Sequence, residues 1–348
     1  MYPYLLQYFL AYTLLTIIYV PVQAALSIRG ADISSLPLLE SQGLKYSDSG
    51  STLAFEKIIA NHNFNLARIR VWTAGTYDQN YALSLAKRAK AAGLKILVDL
   101  HYSDTWADPS KQGIPSSWPT DLDGLNTQIY TYTKNLVSAF SAQGTPIDYI
   151  QLGNEINDGL LWPVGRISVN GFHPASELLN SALHGVKDAG SSSTKIVIHI
   201  ANGWDNSDVS WFFNGIFVSG ALEAENVDIF GFSFYPFYNT GATLSALKSS
   251  LSSIVSEYNK DILIAETDWP VSCSGVKLSE SSIAVSASGQ QTWVKDIENV
   301  LSGLSGSHGL GVVYWEPGWV GNAGLGSACA DALLVDGSGA TRSSINLF

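Results

Sequence analysis

The sequence predicts an α/β fold, a single (β/α)8 barrel of the TIM type, from three observations. Eight short β-like runs recur through residues 25–348, most of them rich in Val, Ile, Leu and Phe, the composition of strands covered on both faces. Helical patterns lie between them, and strand–helix alternation builds a parallel sheet. Eight repeats favour closure into a barrel over an open sheet.

In chain order the predicted strands are Leu26–Ile33, Phe64–Trp72, Leu94–His101, Asp148–Glu155, Thr194–Ile200, Asp228–Tyr235, Asp261–Glu266 and Gly311–Trp315. Among the intervening segments, Ala82 to Ala92 is a strong helix former stopped by Gly93. Residues 177–183 pair apolar side chains at i, i+4: Leu178 with Ala182 and Leu179 with Leu183. Leu244 to Tyr258 and Trp293 to Leu301 repeat apolar residues near helical spacing. The unit after the third strand is long, from Tyr102 to Gln143. Its turn formers and aromatics, Asp104-Thr105-Trp106-Ala107-Asp108-Pro109, suggest a working loop.

Composition bounds the function. Charged residues make up only 14% of the 348 and aromatics 11%, which excludes a disordered chain. A formal charge of −11 disfavours nucleic acid and anionic membrane, both polyanions. Leu5 to Val20 is almost wholly apolar and is followed by Pro21-Val22-Gln23-Ala24-Ala25, which reads as a secretory leader (residues 1–24) cut after Ala24. The mature chain, residues 25–348, is then one extracellular domain with no membrane span, and we expect a monomer. Two cysteines, Cys273 and Cys329, can pair in an oxidising compartment or remain free thiols. Without CxxC or a Cys/His cluster, nothing points to zinc.

The chemistry is concentrated at strand ends, where barrels of this class place working residues. Glu155 and Glu266 each close an apolar run, 111 residues apart, or about 37 per unit over three units. A carboxylate there is costly unless it is paired, hydrogen-bonded or used. One such residue is more often a structural ion-pair partner; two on strands 4 and 7 of one barrel suggest the carboxylate pair of glycoside hydrolysis. Asn154 beside Glu155 fits the acid/base role, because its amide can bond a sugar 2-hydroxyl. Glu266 then suits the nucleophile and must stay ionised, with Arg68 and Tyr235 as helpers. Other strand ends supply Asp32, Arg70, Asp99, His101, His199, Ser233 and Glu316. Asp99 reads as structural, Arg70 is open between core and site, and His101 and His199 stand even between structural and ligand-contacting roles. Trp72, Trp106, Trp204, Trp269, Trp315 and Trp319 fall where sugar stacking is plausible. Trp211 and Trp293 lie in helical context and read as packing.

At these motifs the chain resembles the endo-β-1,4-galactanases of glycoside hydrolase family 53, from about Leu26 to Phe348. The stretches that carry the resemblance are residues 29–32 (RGAD), 68–72 (RIRVW), 101–109 (HYSDTWADP), 153–156 (GNEI), 159–163 (GLLWP), 233–238 (SFYPFY), 266–270 (ETDWP) and 314–317 (YWEP). The strings at 101–109 and 159–163 are the specific ones. The resemblance implies retaining hydrolysis of β-1,4-galactan in type I arabinogalactan, with Glu155 as acid/base and Glu266 as nucleophile. It also implies a Cys273–Cys329 disulfide tying the loops after strands 7 and 8, as in the fungal branch. Bacterial relatives bind calcium there; residues 319–331 hold too few carboxylates for a calcium cage, so no metal and no cofactor are expected. Ala201 stands where the fungal branch leads us to expect Asp. Other readings are a mannanase or xylanase of the same clan, or a non-catalytic carbohydrate-binding barrel. Retention would set the two carboxyl groups about 5–5.5 Å apart, and activity should be bell-shaped in pH.

Overall fold

The computed structural model describes residues 26–348; the leader read over residues 1–24 lies outside them. Eight parallel strands form the barrel: β1 Ile28–Asp32, β2 Leu66–Val71, β3 Lys95–Leu100, β4 Tyr149–Leu152, β5 Lys195–Ile200, β6 Ile229–Ser233, β7 Asp261–Thr267 and β8 Gly309–Tyr314. Each pairs with its neighbour in sequence, and β1 pairs with both β2 and β8, so the sheet closes. The eight predicted runs are these strands, with ends that differ by at most three residues.

The helices extend the predicted patterns. Ala82 to Ala92 falls on Gln79–Ala91 and its C-cap Ala92; the helix is started by Asp78, whose carboxylate accepts the Tyr81 N–H at 2.9 Å. Residues 177–183 lie inside Phe172–Asp188, and Trp293 to Leu301 inside Ala287–Ser302. Leu244–Tyr258 is a helix over its predicted span. The long unit after β3 holds a helix of 21 residues, Leu122–Ala142, which leaves residues 101–121 as the loop proper.

Period-two alternation sorts each strand's side chains. Ala67, Ile69 and Val71 of β2 and Ile96, Val98 and Leu100 of β3 face the helical shell, in the larger core. Ile28, Leu66, Leu97, Val197, Ile229, Leu263, Ala265 and Val313 fill the barrel interior. Burying one such side chain contributes about 1.5–3 kcal/mol, so a register slip that exchanged the faces would be very costly. Further along the inward rows the interior becomes polar: Asp32, Arg68, Asp99, Gln151 and His199 are all buried there. An apolar plug thus carries a polar layer at the C-terminal end.

Strand β7 departs from simple alternation. Phe232 pairs with Ile264 and Ser233 with Glu266, so Ala265 has no partner on β6. A bulge of this kind re-aims the following side chain. Ala265 already points inward, and without the bulge Glu266 would point at the helices.

Candidate active site

Glu155 and Glu266 both line a cleft of about 600 Å3 at the C-terminal end of the barrel, together with Trp106, Trp315, Trp319 and Tyr238. Strand β4 stops at Leu152, three residues before Glu155. Gly153, at φ 90°, turns the chain, and Glu155 itself is left-handed at φ 48°. Such a backbone in a non-glycine residue costs free energy that the surroundings must offset. Here Gln112 Nε2 donates to the Asn154 carbonyl at 2.8 Å, and the Ile156 N–H donates to the His199 carbonyl at 3.0 Å.

Arg68 is the hub. Its Nη1 bonds Asp32 at 2.8 Å; its Nη2 lies 2.7 Å from Glu266 Oε1, 2.9 Å from Asp99 and 2.9 Å from Asn154 Oδ1. Tyr235 donates its hydroxyl to Glu266 Oε2 at 2.8 Å. Burial raises the Glu266 carboxyl, while Arg68 and Tyr235 pull it back toward its charged form. Glu155 has no cation within bonding reach. Burial, and then the charge of Glu266, push it up to about 8. The proton of the pair therefore resides on Glu155.

A hydrogen-bond chain orients that acid. Gln151 Nε2 donates to Asp99 at 2.6 Å and to His199 Nδ1 at 2.8 Å. Nδ1 also receives the Glu155 N–H at 3.4 Å, so the His199 proton sits on Nε2 and is given to Ser233 Oγ at 2.9 Å. The Ser233 hydroxyl is then free to donate to the Glu155 carboxyl, where its hydrogen bond favours the ionised form. Burial, and then Arg68, hold His199 well below its usual range, so the ring is neutral. His101 has the same polarity: Nδ1 accepts the Ala107 N–H at 3.0 Å, and Nε2 donates to Asp99 at 2.9 Å. Burial works against the charge on Asp99, but Arg68 and His101 hold its carboxyl below the usual range.

Arg70, the next inward residue of β2, builds the opposite wall. Its guanidinium lies 4.2 Å from the ring centres of both Tyr77 and Trp106 and 5.3 Å from that of Trp319. Trp106 and Trp319 are near-parallel, 6.0 Å apart. Glu316 Oε1 lies 2.7 Å from Nη1, but the angle is not that of a hydrogen bond. The other Glu316 oxygen takes the Ser35 N–H at 3.2 Å and the Ser35 hydroxyl. Burial dominates Glu316 and pushes it up to about 7 despite Arg70.

The structure brings most of the predicted residues together. Arg68, His101, Trp106, Asn154, Ser233, Tyr235, Trp315 and Trp319 line the cleft with the two glutamates; Asp32 and His199 support it from below. Asn154 is fixed by its neighbours: its oxygen takes Arg68 and its nitrogen gives to the Ala107 carbonyl at 2.8 Å, which leaves one N–H for a ligand. Three predicted stacking residues lie outside the cleft lining: Trp72, whose ring meets those of Tyr77 and Trp106 edge-on, Trp204 and Trp269. Trp269 is fully buried against Trp293 of the helical shell, with Nε1 donating to the Ala284 carbonyl. Trp204 packs over Gly241 and is not in the cleft lining. Trp293 is buried as read, whereas Trp211, also read as packing, is 49% exposed. Cys273 and Cys329 are bonded.

Sequence reasoning missed Gln151, the only member of the network that touches Arg68, Asp99, Asn154 and His199. One polar residue inside the run Tyr149-Ile150-Gln151-Leu152 was the available signal. Asp268 was also missed. It is fully buried, neither carboxyl oxygen has a side-chain partner, and burial and Glu266 hold it well above the usual range.

Comparison with known proteins agrees with this geometry. The profile of Glycosyl hydrolase family 53 matches residues 28–348. Arabinogalactan endo-beta-1,4-galactanase A of Aspergillus niger is 46% identical over 323 residues, 90% of this chain and 91% of that protein. A solved structure from a study of two fungal beta-1,4-galactanases superposes with a TM-score of 0.90 at 41% identity, over 93% of this chain and 99% of that one. The GH53 catalytic domain of Ignisphaera aggregans gives 0.82 at 29% identity, over 94% and 97%. With the family profile spanning the whole described barrel, this chain belongs to glycosyl hydrolase family 53.

Proposed function

We propose that this glycoside hydrolase is a retaining endo-β-1,4-galactanase acting on the galactan chains of type I arabinogalactan. The observation that carries the chemistry is the division of labour in the carboxyl pair. Glu266 is held by a cation and a phenol, and Glu155 by neither. Glu155 gives its proton to the leaving glycosidic oxygen while a Glu266 oxygen attacks C1. The positive charge that develops on the ring is met by a site in which one guanidinium faces three carboxylates, Asp32, Asp99 and Glu266. Glu155, now ionised and bonded by Ser233, then takes a proton from the water that releases the sugar. Retention requires the two carboxyl groups to lie about 5–5.5 Å apart.

The substrate rests on the relatives' activity, and the location on the leader at residues 1–24, which makes the mature chain extracellular in our reading; we take it to act as a monomer. Among the described residues no helix is long and apolar enough to cross a membrane. The test is release of reducing sugar from galactan, mannan and xylan in parallel, with proton NMR of the first anomer formed. Galactan cleavage with retained configuration is expected; preference for another glycan would remove the substrate, and inversion would remove the mechanism. Sedimentation of the secreted protein checks the rest.

A further inference from the structure

Trp211 is the one tryptophan among the described residues that is more than about a third exposed. It lies on the helix Asn206–Ile216, outside the cleft. The Phe172 ring lies 4.9 Å away, tilted by 54°. Phe172 in turn presses on Gly215, one helical turn beyond Trp211: a Cβ there would come within 2.2 Å of the Phe172 ring. The helix itself is fixed at its start by Asp205, which accepts the N–H groups of Ser207 and Asp208.

The chemistry around the ring is that of a sugar site. Ser207, Asp208 and Asn214 stand at i−4, i−3 and i+3 from Trp211, hence on its face of the helix, and all three are exposed. Asn214 accepts the Tyr258 hydroxyl at 2.6 Å, which leaves its amide N–H groups for a ligand. Asp208 and Ser207 give no side-chain oxygen to any described residue. The helix carries no Lys or Arg, so the face offers an apolar ring and neutral or acidic hydroxyl partners, complementary to an uncharged polyol. Its charge argues against a polyanion.

We propose that Trp211, propped by Phe172, is a second carbohydrate-binding platform that holds the neutral polysaccharide outside the catalytic cleft by stacking on a pyranose face. This rests on the polymeric substrate proposed above. The cleft does the chemistry; the platform raises the local concentration of chain.

The experiment compares wild type with W211A and with W211K, which keeps a long helix-forming side chain but no ring. Three readouts are taken: turnover of a short linear β-1,4-galacto-oligosaccharide, turnover of soluble galactan polymer, and retardation of the E266Q forms in galactan-containing native gels. We expect unchanged kcat and KM on the oligosaccharide, a rise in KM on the polymer of about fivefold, and matching loss of retardation. Normal polymer kinetics and retardation in both variants overturn the platform. A concentration-dependent dimer in wild type, lost in W211A, also overturns it, because the face would then be a contact between copies. If wild type cleaves neither galactan substrate, the substrate reading fails instead; retardation by galactan that depends on Trp211 would still support the platform.

Discussion

Arg68 and Arg70 sit two residues apart on one strand, point the same way and are equally buried, yet they are held in opposite fashions. Arg68 reaches Asp32, Asp99, Glu266 and Asn154 at 2.7–2.9 Å. Arg70 has aromatic rings around its planar group and a single carboxylate at its edge. The planar guanidinium permits both uses, and lysine would serve neither equally well. The difference separates the two demands of the site. Arg68 sets charge where bonds change; Arg70 sets the shape of the wall against which a sugar lies.

The harshest way to break the comparison is R68M. It leaves three buried carboxylates without their cation, and removing one partner of a buried pair costs about 3–5 kcal/mol. We expect loss of stability on that scale in urea titration. We also expect kcat to fall by about a thousandfold or more, because Glu266 can then neutralise and Asn154 is released. R68K should recover most of the stability but little of the turnover. Equal loss of KM and no loss of kcat would mean that Arg68 shapes the cleft as Arg70 does.

R70M should behave otherwise. Its carboxylate partner already lies at about 7 and can take a proton, so the charge left behind is less costly. We expect kcat within about threefold of wild type and a KM raised about tenfold as Trp106 and Trp319 lose their support. The double variant R70M/E316Q should regain stability over R70M alone, since an isolated ion pair can be replaced by neutral groups. No single substitution can do this for Arg68, which has three carboxylate partners.

A pH series sharpens the contrast through two of the raised carboxyls, one beside each arginine. Glu155 and Glu316 hold a proton more tightly in the folded chain than in the unfolded one. Their contribution is full below the ordinary carboxylate range and is lost as pH rises through about 7 for Glu316 and about 8 for Glu155. The melting temperature should therefore fall between pH 5 and pH 9. E155Q and E316Q, which are neutral throughout, should each flatten that slope and be more stable than wild type at pH 9. The alkaline loss of activity belongs to Glu155 and should survive in E316Q. If E316Q also removed the alkaline limb, the two arginine environments would be one titrating unit.

Much of this was legible in the sequence. Apolar runs at barrel spacing gave the strands, and the polar residues that interrupt them, Arg68 and His199 among others, gave the site. What failed was direction. Glu155 and Glu266 were found by position, but the left-handed turn at Glu155 and the β7 bulge that aims Glu266 inward leave no mark in alternation, since both are local departures from it. Trp269 was assigned to the cleft by counting from a strand end, which does not say which way a ring after that end points; this one packs on Trp293. Trp211 failed differently. Helical context predicts which residues share a face, not whether a neighbouring helix covers that face.

The mildest perturbation concerns the support of Trp319. Cys273 and Cys329 tie the loop after β7 to the segment that carries Trp319, Asn322 and Leu325. Their loop of 56 residues suggests about 4 kcal/mol of stability, in a chain-entropy account. The same segments are also joined without it. Val271 donates to the Asp331 carbonyl at 2.8 Å and Ala330 to the Ser272 carbonyl at 2.9 Å; within the segment after β8, Ala332 donates to Ala323 at 2.8 Å and Arg342 pairs with Asp331 at 2.6 Å. Because these contacts persist when the sulfurs part, C273A/C329A should unfold at lower urea yet keep kcat and hold KM within about twofold under native conditions. Steady-state kinetics beside R70M decide the matter. A tenfold rise in KM in the cysteine variant, with none in R70M, would move control of the aromatic wall from the cation beneath it to the covalent tie beside it.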